Sequence, residues 1–385
     1  MLIRTRQVPK YQRVFENLRG EILAGTYKDG QKLPSETALI EQFGVSRITA
    51  VRALRELQQH GLVERRAGSG TYVRAARRSE KGLLFGLLIP DLGQTEIFEP
   101  ICQGMSRAPE ASEHGLLWGN TTPGKITKEQ QAWHLCQQYI AKKVVGVFFA
   151  PLELAPPKDE MNRRIAAALE KARIPIVLLD RCLFPYPQRS RHDLVGIDNR
   201  RAGYLITEHL LKLGCRRIAF VAYPNGASSV EARIAGYREA LFAYSVPVET
   251  TLVQRLDTAK VGEIRRVMEA LHPEAFVCAN DRTAGHLMHS LIELNYRLPQ
   301  DVRIVGIDDV EYATLLPVPL TTVHQPCREI GEVSMTAMLE RVARPDMSTR
   351  DILLDCKLVV RQSCGAGLGP HNGEEQEGNS GRVPN

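Results

Sequence analysis

Leu33-Pro34-Ser35-Glu36, Val45-Ser46-Arg47-Ile48-Thr49, Ala53-Leu54-Arg55-Glu56-Leu57 and Gly68-Ser69-Gly70-Thr71-Tyr72-Val73 are the runs that decide how this chain folds. Worked outward from them, residues 8–73 form one continuous frame. A helix is expected over 11–24, a second short helix ends at Phe43, and a turn runs Gly44-Val45-Ser46-Arg47. A third helix then ends at His60, and strands 62–65 and 71–73 make a hairpin. At about 100° per residue, Ala50, Ala53, Leu54 and Leu57 share one arc of the third helix, while Ile48, Arg52 and Arg55 share the opposite one. The first arc packs on the other helices and the second faces outward. Ser35 after Pro34 and Ser46 before Arg47 are placed to cap the second and third helices. Gly68 and Gly70 give the hairpin tip a permissive backbone, with Arg65 and Arg66 beside it. The expected fold is an α+β winged helix-turn-helix.

An exposed arc with two arginines behind a third at the helix start suits a DNA recognition helix, because guanidinium pairs bidentately with guanine and the helix start meets phosphate. An ordinary amphipathic helix with a solvated charged face accounts for any one of these elements alone. Their order and spacing favour the DNA-binding reading. The quoted runs, with Gly61-Leu62-Val63, resemble the GntR family of bacterial regulators over about 66 residues. The candidate DNA contacts are then Ser35, Thr37, Ser46, Arg47, Ile48, Thr49, Arg52, Arg66, Gly68, Ser69 and Gly70. Arg47 is expected on phosphate and Arg52 on a base. Two positions depart from the family: Thr37 and Val51 stand where it commonly has arginine, so its base preference does not transfer.

Charge follows the same division. Residues 1–78 hold 15 Lys and Arg against 7 Asp and Glu, a net of +8, whereas the whole chain is +6, so the remainder is acidic by two. Basic charge thus collects where a polyanion would dock. No apolar run approaches the roughly 20 residues of a membrane helix and the start of the chain is polar, so a cytoplasmic protein is expected. The eight cysteines (102, 136, 182, 215, 278, 327, 356 and 364) lack metal-ligand spacing, so neither zinc nor a disulfide framework is indicated. No cofactor is expected.

Residues 74–82 have no apolar periodicity and read as a linker. Behind it, apolar runs at 83–90, 115–118, 144–150, 174–180, 194–197, 217–221, 275–279 and 302–307 alternate with helical patterns at 97–105, 129–142, 161–172, 199–213, 230–244 and 284–294. Such alternation predicts parallel βαβ units. Some 280 residues exceed one sheet, so two α/β lobes with a cleft are expected over 83–364. The tail, 365–385, is low in apolar residues and is expected to be disordered.

Ligands in such sheets sit beyond the carboxyl ends of strands. That rule selects Asp91, Asn120, Asp180, Arg181, Asp198, Asn199, Asn280, Asp281, Asp308 and Asp309, although any one of them also suits a helix cap or turn. Carboxylates and amides with an arginine fit adjacent hydroxyls. The segment from about Leu84 to Cys364 resembles the effector domain of the lactose and purine repressor (LacI/GalR) family, itself similar to periplasmic sugar-binding proteins. The resemblance rests on Phe85-Gly86-Leu87-Leu88-Ile89-Pro90, Val177-Leu178-Leu179-Asp180-Arg181, Val195-Gly196-Ile197-Asp198-Asn199, Arg233-Ile234-Ala235-Gly236-Tyr237, Ala279-Asn280-Asp281 and Val305-Gly306-Ile307-Asp308-Asp309. It implies a periplasmic-binding-protein-like fold and puts Arg233, Asn280 and Asp308 at effector positions, with Asp91 and Asp180 beside them; the strand-end rule adds Arg181 and Asp281 to the effector candidates. Residues 246–273 contain no aromatic where ring-stacking relatives carry Trp or Phe, which favours a sugar over a flat effector.

The expectation is therefore a ligand-responsive transcription factor, a repressor, binding a dyad-symmetric DNA operator as a homodimer under the control of a small sugar-like effector. It is not expected to be an enzyme or to meet a membrane. A transport-type sugar-binding protein and an enzyme fused to a GntR-type head are the alternatives.

Overall fold

The computed structural model describes residues 10–23, 26–28, 30–59, 62–66, 69–73, 82–89, 96–119, 127–156 and 158–367. The chain divides into two compact units between Leu83 and Leu84. Most of the expected linker, 74–81, and most of the expected tail, 368–385, lie outside the described residues, as do Gly68, Asp91 and Asn120.

The smaller unit contains α1 (Lys10–Leu23), α2 (Glu36–Phe43), α3 (Arg47–Gln59), β1 (Val63–Arg66) and β2 (Gly70–Val73). The two strands pair antiparallel, Val63 opposite Val73 and Arg66 opposite Gly70, one residue nearer the tip than the sequence suggested. Leu18, Leu39, Ala50, Ala53, Leu54 and Leu57 are buried together, so the inward arc of α3 is the one that periodicity selected. Ser35 caps α2 by accepting from the Ala38 amide, and Gly44 ends that helix at φ 59°, a left-handed conformation that glycine adopts without a Cβ clash. The tight turn into α3 follows from that reversal.

The larger unit holds two six-stranded sheets. One consists of β3 (Leu84–Leu88), β4 (Gly115–Trp118), β5 (Gly146–Phe149), β6 (Ile176–Leu179), β7 (Asp193–Ile197) and β13 (Asp351–Leu354), ordered β13-β7-β6-β5-β3-β4. The other consists of β8 (Ile218–Ala222), β9 (Val253–Arg255), β10 (Ala275–Cys278), β11 (Arg303–Asp308), β12 (Thr321–His324) and β14 (Lys357–Val359), ordered β14-β12-β11-β10-β8-β9. All pairings are parallel except β12 with β14, a departure from the all-parallel expectation. Central strands such as Gly146–Phe149 and Ile218–Ala222 are buried along their whole length, as helices on both faces require.

The first lobe's helices are α4 (Phe98–Arg107), α5 (Lys128–Ala141) and α6 (Lys158–Lys171); the second's are α8 (Ser228–Ala243), α9 (Val261–Leu271) and α10 (Asp281–Glu293). Two helices cross over: α7 (Asn199–Lys212) follows a strand of the first lobe but packs on α8, β11 and β12, while α11 (Cys327–Ala343) follows β12 but packs on α4 and β5–β7. With the step from β13 to β14, the chain passes three times between the lobes. The two crossover helices dock alike. A Cβ on Gly236 would stand 1.9 Å from the Arg200 carbonyl oxygen, and one on Gly331 would stand 2.0 Å from that of Ile101. Each crossing therefore needs a glycine because backbone lies against backbone.

Candidate ligand cleft and nucleic-acid interface

The carboxyl ends of strands from both lobes meet at one cleft of about 440 Å³. From the first lobe come Glu153, just past β5, and Asp180 and Arg181, just past β6; from the second come Tyr223 past β8, Arg233 on α8, Asn280 past β10 and Asp308 at the end of β11. Asp180 has φ 68° and Asp308 φ 134°, conformations that non-glycine residues rarely adopt. Strained backbone of this kind gathers at functional sites, where the surroundings hold it in place. Here the Asp180 amide donates to the Val195 carbonyl at 2.9 Å, and Gly196 leaves room for the turn: a Cβ there would sit 3.2 Å from the Asp180 Cα.

The buried Arg233 guanidinium donates from Nε to Asn199 Oδ1 at 2.8 Å, from Nη1 to the Ala279 carbonyl at 2.5 Å, and from Nη2 to Asp308 Oδ1 at 3.4 Å. Gln325 Nε2 donates to the same Asp308 oxygen at 2.6 Å. Across the cleft, buried Arg181 pairs with Glu153 and, at 3.3 Å, with Asp180 Oδ2, and its guanidinium lies 5.2 Å from the Phe98 ring centre. Asp180 Oδ1 is buried with no hydrogen-bond partner among the described residues. Such an oxygen costs about 1–3 kcal/mol until something donates to it.

Burial pushes the Asp308 carboxyl up to about 8 against the pull of Arg233, and nearby Asp281 and Asp180 add to the rise. Burial likewise raises Asp180 against Arg181 and Arg233. For Glu153 burial opposes ionisation too, yet Arg181, with Arg233 and Lys128, holds its carboxyl below the usual range. Glu153 is thus the ionised partner of Arg181, and Asp308 is mostly neutral at pH 7.

The cleft brings Asp180, Arg181, Arg233, Asn280 and Asp308 together. Asn280 also caps α10, its Oδ1 accepting from the Thr283 amide at 2.9 Å and from its hydroxyl at 2.7 Å. Asp281 is a correction: it is fully buried but turned away from the cleft, accepting from the Thr322 hydroxyl at 2.6 Å and the Val310 amide at 3.1 Å. A Cβ on Gly306 would stand 2.3 Å from its Oδ1, so the glycine of Val305-Gly306-Ile307 makes space for this buried carboxylate. Asp198 caps α7 by accepting from the Arg201 amide, and Asp309 pairs with His324 and Arg361.

Sequence reasoning missed Glu153, Phe98, Tyr223 and His286. Glu153 and Tyr223 follow the runs 144–150 and 217–221, so the strand-end rule reaches both when every run is treated alike. Tyr223 bonds His286 Nδ1 at 2.7 Å, and Phe98 comes from α4, so the cleft has aromatic walls although 246–273 has none. The expectation drawn from that one segment was too narrow.

In the smaller unit, Arg47, Ile48, Val51, Arg52, Arg55 and Glu56 line a shallow outward depression on α3. Ser46 Oγ accepts from the Thr49 amide at 3.3 Å and lies 2.8 Å from the Thr49 hydroxyl, which fixes the start of the helix. Glu36, at the start of α2, pairs with Arg47 at 3.4 Å and with Arg65 of β1, so helix and wing share one carboxylate. The Arg52 guanidinium lies 3.8 Å from the Tyr11 ring centre and 3.6 Å from Glu56. On the wing, Arg66 stacks 4.7 Å from the Tyr72 ring centre, and Ser69 Oγ lies 2.6 Å from the Tyr72 hydroxyl. Thr37 is exposed beside the Ser35 cap, and Gly70 takes φ 129° at the wing.

Comparison with known proteins agrees with this division. Residues 10–73 match the bacterial regulatory proteins of the gntR family, and residues 207–364 match the periplasmic binding protein-like domain. An arabinose metabolism transcriptional repressor of Geobacillus stearothermophilus is 27% identical over 372 residues, spanning 94% of this chain and 99% of that protein. A ribose operon repressor of Halalkalibacterium halodurans is 29% identical, over 75% of this chain and 82% of the relative. Among solved structures, a LacI family regulator from Enterococcus faecium with bound ribose aligns at TM-score 0.59 and 24% identity, covering 73% of this chain and 98% of that one. Residues 10–73 thus carry a gntR-type winged helix-turn-helix and residues 207–364 a periplasmic-binding-protein-like domain, in a chain that is similar along nearly its whole length to an arabinose metabolism transcriptional repressor.

Proposed function

We propose that this regulator is a repressor whose hold on a dyad-symmetric operator is set by a sugar bound in the cleft between the lobes. The observation that carries the reading is the cleft itself. Strand-end carboxylates and arginines from both lobes converge there, and Asp180 Oδ1 is buried and waiting for a donor. A sugar hydroxyl supplies that donor, while Asn280 and the partly exposed face of Asp308 offer further polar partners. Phe98 and Tyr223 give the apolar wall that a pyranose or furanose ring needs. The arabinose and ribose repressors among the relatives make pentoses the first candidates.

On the DNA side, the amides at the start of α3 with Arg47 meet phosphate, Arg52 reads a base in the major groove, and Arg66 with the tip 68–70 enters the minor groove. Two copies on a dyad place two such heads, and the protein works beside the chromosome in the cytoplasm. No chemistry on the sugar is proposed. The coupling requires the sugar to favour one arrangement of the lobes over another.

Thermal unfolding across a panel of pentoses and hexoses, followed by operator titration with each binder, tests this. A stabilising sugar that shifts operator affinity is the expected result. A sugar that binds in the cleft and leaves operator affinity unchanged overturns the reading.

A further inference from the structure

The outward face of α3 contains an apolar element that its ion pairs do not account for. Ile48 is 82% exposed in the first turn of the unit's third helix, and half-buried Val51 lies beside it one turn on. Around them the charged groups are already directed: Arg47 toward Glu36 at 3.4 Å, and Arg52 between Tyr11 at 3.8 Å and Glu56 at 3.6 Å. Those contacts engage the Arg52 guanidinium, while the Ile48 side chain on the same face stays open to solvent. Helix formation does not explain an isoleucine here, because a β-branched residue loses χ1 freedom in a helix and alanine or lysine would serve better. Core packing does not explain it either, since Ala50, Ala53, Leu54 and Leu57 fill the inner arc.

The inference rests on the smaller unit being the DNA-reading element. Within a major groove, unmodified DNA offers one apolar group on its base edges, the C5-methyl of thymine. We propose that Ile48 reads the C5-methyl of one thymine in each operator half-site, and so sets sequence preference beside the arginines. Val51, in the same depression, widens the apolar surface. The pairing is dry and non-polar, so it discriminates by burial alone and is smaller than a bidentate arginine contact. Covering one methyl corresponds to about a fourfold change in affinity.

The test begins with selection of binding sites from random duplex DNA by the full-length protein. Each thymine of the selected site is then replaced singly by deoxyuridine, which removes the methyl and leaves every hydrogen-bonding group in place. One thymine per half-site is expected to weaken binding about fourfold on replacement. Ile48→Ala is expected to bind the thymine and uracil sites equally, at the level the unchanged protein shows for uracil. Arg52→Ala should bind more weakly throughout yet keep the methyl preference. If the protein selects a sequence but no thymine responds, or if Ile48→Ala responds as fully as the unchanged chain, the assignment of Ile48 is wrong. If no sequence is selected at all, the DNA-reading role of the unit falls with it.

Discussion

Asp308→Asn should stabilise the larger unit increasingly as pH rises. The carboxyl stands at about 8 in the folded protein, raised by burial against the pull of Arg233, while an unfolded aspartate titrates near about 3.9. Between those values the folded state keeps a proton that the unfolded state releases, so the aspartate's contribution to stability is full below about 3.9 and is lost as pH climbs through about 8. The loss runs at about 1.4 kcal/mol per pH unit, so from pH 5 to pH 8 it amounts to up to about 4 kcal/mol. Asparagine does not titrate. Its amide oxygen can accept from Gln325 Nε2 and Arg233 Nη2 as the aspartate Oδ1 does. Asp281, raised to about 6, titrates in both proteins and drops out of the comparison to first order. For a unit of this size each kcal/mol moves the midpoint by about 2 °C, so the variant should gain about 8 °C on the unchanged chain between pH 5 and pH 8. Trp118 and Trp133 are the chain's two tryptophans and both lie in this unit, so their fluorescence follows its unfolding and not that of the winged unit. A midpoint difference that stays constant from pH 5 to pH 8 refutes the placement of a neutral Asp308.

Arg233→Ala removes three donors and leaves Asn199 Oδ1 and the Ala279 carbonyl without them. Leaving these buried acceptors unsatisfied should cost about 1–3 kcal/mol each of the larger unit's stability and abolish the sugar response while operator binding survives; an unchanged dose response contradicts the cleft. Ser46→Ala deletes the cap of α3 and should lower the winged unit's stability by about 1 kcal/mol, with Ser46→Asp restoring most of it, as read by circular dichroism of the denaturant transition. Gly236→Ala drives a methyl to 1.9 Å from the Arg200 carbonyl oxygen, so α7 and α8 must separate, at about 1–3 kcal/mol. Equal thermal midpoints for that variant and the unchanged chain would contradict a backbone-to-backbone contact at this crossing.

The winged unit was legible almost to the residue because its signals are local. Ser35, Gly44 and Ser46 act on the backbone within three or four positions, and the wheel of α3 is fixed by 3.6-residue geometry alone. In the larger unit the long apolar strands and the helices between them were legible for the same reason. What escaped were the helices α9 and α11 and the strands β9, β12, β13 and β14, short edge or crossover strands whose pairing is fixed by partners far away in sequence: Asp351 lies beside Leu194, and Val359 beside Thr322. The cleft divides in the same way. Strand-end position found Asp180, Arg233 came from the family resemblance, and both do face the cleft. Orientation was not legible: Asn280 and Asp281 are adjacent, yet only the first faces the cleft, because Gly306 and Thr322 on neighbouring strands draw the Asp281 carboxylate inward. Phe98 and His286 enter from helices, and no strand-end rule addresses a helix.

The charges of the cleft also bear on how the lobes respond to a ligand. Asp180 and Glu153 of the first lobe feel Arg233 of the second. Each guanidinium has its own primary partner within its lobe, so these cross-lobe attractions supplement pairs that are already complete. Their strength depends on the width of the cleft and on the water in it, since the same charges interact several-fold more strongly when water is excluded. A neutral, hydroxyl-rich ligand that fills the space displaces water without adding a charge of its own, and it satisfies Asp180 Oδ1 as it does so. Closure is then favoured by contacts the ligand makes and by attractions that the protein already contains. If the cleft binds a sugar as proposed, attractions between the lobes add to the hydrogen bonds that the ligand itself makes.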